Sequence, residues 1–302
     1  MSKKVLVIYK KSAYQLAKER KNEKLLDLIE AGDESVASIL VTHEAHQRTL
    51  EIVKENLSSF TLDKVDVRYR ANAVKIDNYD IVITVGGDGT FLWASKFVGT
   101  KVPIMGVNSA PGSSVGFFTC ADANNFKTKF RLWKGFGPLA SSSLPSKRVK
   151  RFKLEINGEL IQDRILNDVL FAASHPAALT KYVFRITKNK EEIVKEEHRS
   201  SGIWISTACG STGANLSADG LPLYLEDDRG QFVVREPVKN LERGMTLRWT
   251  SGFFKKDESV EITCKTRKAV VSCDGTTLTF PVTTGDRIKI SQSDDFLNIL
   301  GK

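Results

Sequence analysis

The feature that most restricts what this chain can fold into is the run Ile81-Val82-Ile83-Thr84-Val85, which stops at Gly86-Gly87-Asp88-Gly89-Thr90. Five apolar or β-branched residues without a charge suit a strand buried on both faces, and the glycines end it. Glycines leave little side chain in the way of a ligand's phosphates, so backbone N–H groups can approach them. Asp88 is the only side chain in the turn able to take a proton. Thr90-Phe91-Leu92-Trp93-Ala94 then reads as the start of a helix, whose positive end also favours an anion.

The stretch sits in a series that repeats its logic. Val5–Tyr9, Ser38–Thr42, Val65–Tyr69, Asp80–Gly87 and Val102–Asn108 read as strands. Ser12–Glu30 reads as one surface helix, and Leu50, Val53 and Leu57 carry helical spacing. Strands alternating with helices argue for a parallel sheet covered on both faces, with ligands at the carboxyl ends of its strands. Glycine, proline and serine between Gly135 and Pro145 mark a crossover to a different texture. Beyond it strands dominate, and Asn157-Gly158 between two of them is a hairpin signal. Tyr182–Thr187, Glu192–Lys195, Gly202–Thr207, Thr246–Trp249, Val260–Cys264, Ala269–Cys273, Thr277–Val282 and Arg287–Ser291 are further strand candidates. The fold class expected is an α/β N-terminal domain with a parallel sheet, followed by a β-rich C-terminal domain. Residues 1–135 form the first domain and 136–291 the second, with 292–302 packing back on the first.

Composition excludes several classes. The 302 residues carry 45 basic and 36 acidic side chains, a net charge of +9. The basic residues are scattered, which argues against nucleic acid and suits polyanionic small molecules. No apolar run approaches the roughly 18 to 20 residues of a membrane span, so no membrane anchor and no signal peptide are expected. Cys120, Cys209, Cys264 and Cys273 lie far apart without a C-x-x-C pair, as reduced cytoplasmic thiols do. No residue set reads as a protein-held metal site. His43 and His46 fall on a helical pattern and are expected at solvent; His175 and His198 are weak candidates for ligand contact.

The glycine turn is not one of its better-known relatives. A dinucleotide G-x-G-x-x-G from Gly87 would need glycine where Leu92 stands, and no G-x-x-x-x-G-K-[ST] occurs. What remains suits a carboxylate that removes a proton from an attacking hydroxyl. Two further polar turns follow apolar strands. Asn167-Asp168 offers an amide and a carboxylate for ribose hydroxyls or a purine edge. Gly210-Ser211-Thr212-Gly213-Ala214 offers N–H and hydroxyl donors. Together the three turns point to one composite nucleotide site.

These residues resemble the NAD kinase family, which transfers a phosphoryl group from a nucleoside triphosphate to the adenosine 2′-hydroxyl of NAD. Gly86–Thr90, Asn167-Asp168 and Gly210-Ser211-Thr212 match its three turns, and Gly106-Val107-Asn108, Gly116-Phe117-Phe118 and Asp274-Gly275 resemble flanking segments. The resemblance implies that Asp88 is the base, that Gly86, Gly87, Gly89 and Thr90 frame phosphates, and that Phe117 packs near adenine. It implies further that Asn167 and Asp168 hold adenosine, and that Gly210, Ser211, Thr212 and Ala214 line the pocket. Arg199 and Ser201 would lie near the nicotinamide, and could come from a neighbouring subunit. ATP with Mg²⁺, NAD or NADH, and a homodimer or larger homo-oligomer in the cytoplasm are implied as well. Arg199-Ser200-Ser201-Gly202 replaces an acidic residue with Ser201, and Thr212-Gly213-Ala214 lacks a tyrosine. Both departures resemble the plant NADH kinase branch, so NADH is expected as an acceptor and even the preferred one. The Gly-Gly-Asp-Gly turn alone also suits a lipid or sphingoid kinase, or a dinucleotide sensor that lost catalysis.

Overall fold

The computed structural model describes residues 3–70, 76, 78–135, 143–238, 247–276 and 278–302. Residues 136–142 of the expected crossover, and Thr246 and Thr277 of two expected strands, lie outside them. The chain forms two compact units, Met1–Lys147 with Leu297–Lys302, and Arg148–Phe296.

The first unit runs β1 (Lys4–Tyr9), α1 (Ala13–Glu19), α2 (Glu23–Glu30), α3 (Ser38–Ser58), β2 (Lys64–Tyr69), β3 (Ile81–Gly86), α4 (Asp88–Ser95), β4 (Ile104–Asn108), β5 (Thr119–Asp122) and α5 (Phe126–Lys134). The strands are parallel in the order β2-β1-β3-β4, with β5 beside β4. Side chains alternate across a strand, so Val5, Val7, Ile81, Ile83, Val85, Met105 and Val107 share one core with Leu50, Val53 and Leu57 of α3 and Phe126 and Phe130 of α5. Leu6, Ile8, Val82 and Ile104 are equally buried. They face the other side, where α4 packs with Phe91 and Ala94 inward. Burial on both faces is why Ile81–Val85 is an unbroken apolar run. The chain adds β2 on one side of β1 and β3 on the other, so the carboxyl ends of β1 and β3 flank the switch point where such sheets take ligands.

Three expectations need correction here. Ser12–Glu30 is two helices, broken where Lys21 takes φ 51°, with Asn22 capping α2 through the Leu25 N–H at 3.2 Å. Ser38–Thr42 is the start of α3, not a strand. The buried stripe His46, Thr49, Leu50, Val53 and Leu57 has helical spacing and overrides the local β-branched run, which leaves Val41 69% exposed. His46 belongs to that stripe and is buried, not at solvent.

The second unit contains β6 (Ser146–Ile156), β7 (Glu159–Ile165), β8 (Asp168–Ala173), β9 (Thr180–Lys188), β10 (Glu191–Ser200), β11 (Gly202–Ser206), α6 (Ala214–Ser217), β12 (Gly230–Arg235), β13 (Ser251–Phe254), β14 (Glu258–Cys264), β15 (Ala269–Cys273), β16 (Leu278–Val282) and most of β17 (Arg287–Leu300). Asn157 and Gly158 join β6 to β7 with φ of 54° and 85°, the pair of left-handed residues a tight hairpin requires. One sheet is ordered β10-β9-β14-β17, with β6 pairing β17 and β7; the other is β13-β12-β11-β8-β15-β16. Phe152, Tyr182, Phe184, Ile262 and Ile290 of the first meet Val169, Phe171, Ile205, Phe232 and Val271 of the second in one core. The residues from Leu297 belong to the first unit, where Ile299 pairs in parallel with Ile104. Leu247–Trp249 is not a strand. The N–H groups of Arg248 and Trp249 donate to the Glu196 carboxylate at 3.0 Å each rather than to a ladder, and β13 begins after them. The α/β unit followed by a β-rich one is the fold class expected from the sequence. Among the described residues, no helix is long and apolar enough to cross a membrane.

Candidate active site

The candidate residues fall into two sets, one within each unit. In the first unit, Gly87 is the N-cap of α4 and Asp88 its first residue. The glycines differ in what they permit. A Cβ on Gly86 would collide with the Thr90 side chain, and one on Gly87 would lie 2.6 Å from Ser114 Oγ, whereas Gly89 has nothing within 4 Å. Gly86 and Gly87 therefore make room for the chain itself, and Gly89 alone opens the turn to a ligand. The carboxylate of half-buried Asp88 accepts the Phe118 N–H through Oδ1 (2.8 Å) and the Phe117 N–H through Oδ2 (3.0 Å). Both oxygens are thus fixed in position, and each keeps a second lone pair for a proton or a ligand hydroxyl. Phe118 stacks on Phe91 at 5.0 Å, and Phe117 meets Phe118 edge-on, so Phe117 is held beside Asp88.

A cavity of about 600 Å³ opens against this turn, lined by Gly87, Asp88, Gly89 and Thr90 together with Lys10, Arg70, Asn108, Ser114 and several small or hydroxylated residues. Asn108 ties the loop after β4 by donating to Ser114 O (3.2 Å) and accepting the Ala110 N–H (3.1 Å). Lys10 and Arg70 carry no motif. Their only signal in the sequence is that each directly follows a strand of the parallel sheet, at its carboxyl end.

In the second unit, Asn167 and Asp168 form the turn that enters β8. Asp274 holds this turn from over a hundred residues away, its carboxylate accepting the N–H groups of Leu166 (3.1 Å), Asn167 (2.6 Å) and Asp168 (3.4 Å). Thr207 clamps the same turn, its hydroxyl donating to Leu166 O and its N–H to Asn167 O (2.9 Å). Gly210 lies directly on Asn167; a Cβ there would collide with the Asn167 carbonyl, so only glycine fits. The structure thus unites Asn167, Asp168 and Gly210, and adds Thr207 and Asp274. Burial, and then the charge of Asp274, push the Asp168 carboxyl up to about 7. Asn167 Oδ1 is buried without a hydrogen-bond partner among the described residues, an acceptor that suits a ligand N–H. Ser211 is not a free donor as expected: its buried hydroxyl donates to Ala208 O (2.7 Å) and accepts the Leu223 N–H (2.8 Å), locking the turn. Thr212 is exposed and Ala214 half-buried in the same turn.

Arg199 and Ser201 are placed elsewhere in this unit. They flank Ser200 at the connection into β11, whereas Ser206, at the far end of β11, pairs with Asp168. One five-residue strand separates them from the Asn167 turn, about 13 Å at 3.3 Å per residue. Histidines join neither set. His198 is buried between Tyr182 and Glu196, its Nε2 at 2.9 Å from Glu196 Oε2, and His175 Nδ1 accepts the Ala177 N–H within its own loop. Among the described residues no three His, Cys, Asp or Glu side chains cluster as a metal cage.

Comparison with known proteins agrees with the motifs. A sequence model described as the ATP-NAD kinase N-terminal domain matches residues 5–133. An NADH kinase of Arabidopsis thaliana is 32% identical over 288 residues, covering 85% of this chain and 83% of its own. A probable NADH kinase of Oryza sativa subsp. japonica is 28% identical over 274 residues, covering 84% and 81%. Among solved structures, yeast NADH kinase complexed with NADH superimposes with a TM-score of 0.65 at 17% identity, over 100% of this chain and 84% of the other. An NAD kinase from Archaeoglobus fulgidus in complex with ATP gives 0.60 at 18%, over 98% and 92%. At those identities the structural likeness speaks for the fold, and the sequence relatives speak for descent: the chain belongs to the NAD kinase family.

Proposed function

We propose that this protein phosphorylates the adenosine 2′-hydroxyl of NAD(H) with a nucleoside triphosphate, yielding NADP(H). The observation that carries the reading is Asp88, a carboxylate fixed through both oxygens at the mouth of a cavity with two cations on its wall. The 2′-oxygen attacks the terminal phosphorus, its proton passes to Asp88, and the bridging oxygen leaves with the nucleoside diphosphate. Gly87, Gly89 and Thr90 frame the phosphates, and Phe117 packs near adenine. Asn167 and Asp168 hold the adenosine, the orphan Asn167 Oδ1 accepting an N–H of the base. Thr212 and Ala214 line the same pocket.

A donor-bound Mg²⁺ would fit the cavity wall, where Asp88 is the only carboxylate among the described residues and Asn108 and the serine hydroxyls offer further oxygens. Such an ion would neutralise charge on the donor phosphates. The reading extends to a homodimer or larger assembly in the cytoplasm, with Arg199 and Ser201 at the nicotinamide end, supplied by a neighbouring subunit. The four free cysteines suit a reducing compartment.

Acceptor preference follows from Ser201. A carboxylate near the nicotinamide would attract the positive charge of the oxidised ring, and serine does not. NADH is therefore used at least as well as NAD, and Ser201→Asp shifts the ratio of kcat/KM values toward NAD by about fivefold, roughly 1 kcal/mol. Steady-state kinetics with both acceptors check this; a strong preference for NAD in the unaltered protein contradicts it.

A further inference from the structure

We propose that Lys10 and Arg70 form the cationic wall of a polyphosphate subsite, pairing with the terminal phosphoryl oxygens of the donor. The proposal rests on the kinase reading and assigns charge recognition of the donor to two residues outside the three turns.

Four observations carry it. Lys10 and Arg70 follow β1 and β2 directly, so both lie at carboxyl ends of the parallel sheet and line a cavity that Gly87–Thr90 also line. Among the described residues neither makes a salt bridge, whereas their neighbours Lys11 and Arg68 pair with Glu19 and Asp66. Thr90, 2% exposed, lines the same cavity, and its Oγ1 has no hydrogen-bond partner among the described residues. Apart from Asp88 and Asn108 the lining is cationic, hydroxylated or small, and among the described residues it holds no aromatic ring to stack on a base. It is built for a phosphate chain and not for a nucleoside.

The charge balance agrees. Two cations face one carboxylate, Asp88, whose oxygens already accept two N–H bonds. Lys10 and Arg70 share one cavity wall, and burial, then the repulsion of the Arg70 charge, pull the Lys10 ammonium below its ordinary value. An anion between them relieves that repulsion. Behind Lys10, His46 is fully buried and its Nε2 donates to the Lys10 carbonyl at 2.7 Å. Burial holds His46 down at about 4, so it stays neutral and anchors the backbone without adding charge. Its place in the α3 stripe thereby fixes where the Lys10 side chain starts.

Isothermal titration with inorganic tripolyphosphate, in the absence of any dinucleotide, tests the subsite directly. The unaltered protein binds it in competition with ATP. Lys10→Met and Arg70→Met each weaken that binding by about 10- to 100-fold, the size of a charge-assisted hydrogen bond. Each raises the donor KM to a similar degree and leaves the NADH KM and the melting temperature near those of the parent, while Lys10→Arg restores binding. Absence of tripolyphosphate binding, unchanged affinity in both methionine variants, or a rise confined to the NADH KM would overturn the proposal. If tripolyphosphate binds and is lost in the variants while no NADP(H) forms, the subsite stands and the kinase reading fails.

Discussion

Asp88→Asn lowers kcat by about 10²- to 10⁴-fold, the usual loss when a positioned general base is removed. The fold survives, because asparagine keeps one acceptor oxygen for one of the two N–H groups that Asp88 now serves. The other N–H, of Phe117 or Phe118, then faces an amide group that cannot accept, and the loss of that bond costs about 1 to 2 kcal/mol. Single-turnover rates and thermal melts of the two proteins separate these effects. Near-normal turnover in the variant would refute the role of Asp88 as base, whatever the melting temperature does.

Asp274→Ala acts through the fold before it acts on the ligand. It removes the acceptor for three N–H groups, those of Leu166, Asn167 and Asp168. Each buried N–H left unpaired costs about 1 to 3 kcal/mol, so a loss of roughly 3 to 5 kcal/mol is expected. That corresponds to a fall in melting temperature on the order of 10 °C. In protein that remains folded, the dinucleotide KM rises, because the Asn167 side chain is aimed by that turn. The carboxyl of Asp168 also drops back toward its ordinary range once the neighbouring charge is gone. A variant with parental stability and dinucleotide KM would show that Asp274 does not organise this turn.

These two residues mark how far the sequence could be read. The turn that carries Asp88 was legible because a charge-free apolar run stopped by glycines reads as a buried strand and the turn after it. The parallel sheet was legible for a related reason: strands buried on both faces cannot hide polar residues. Asp274 was visible only as part of an Asp-Gly turn, since nothing local says that its carboxylate crosses to residues 166–168. Lys10 and Arg70 were not legible at all, because one cation after a strand looks like surface until the pairing of β1 with β2 puts both at neighbouring carboxyl ends, on the wall of one cavity. Ser38–Thr42 misled in the opposite direction. Its β-branched run favours a strand locally, and only the packing of His46, Leu50, Val53 and Leu57 beneath α3 decides for a helix. Ser211 was legible as part of a turn, but not as the residue whose hydroxyl closes that turn.

The position of the phosphate on the product tests the central reading most directly. Incubated with ATP, Mg²⁺ and NADH or NAD, the protein should form one NADP(H) for each nucleoside diphosphate released. Phosphorus NMR should then show the new group on the adenosine 2′-oxygen. Dinucleotide binding without phosphoryl transfer, or transfer to any other hydroxyl, would contradict it.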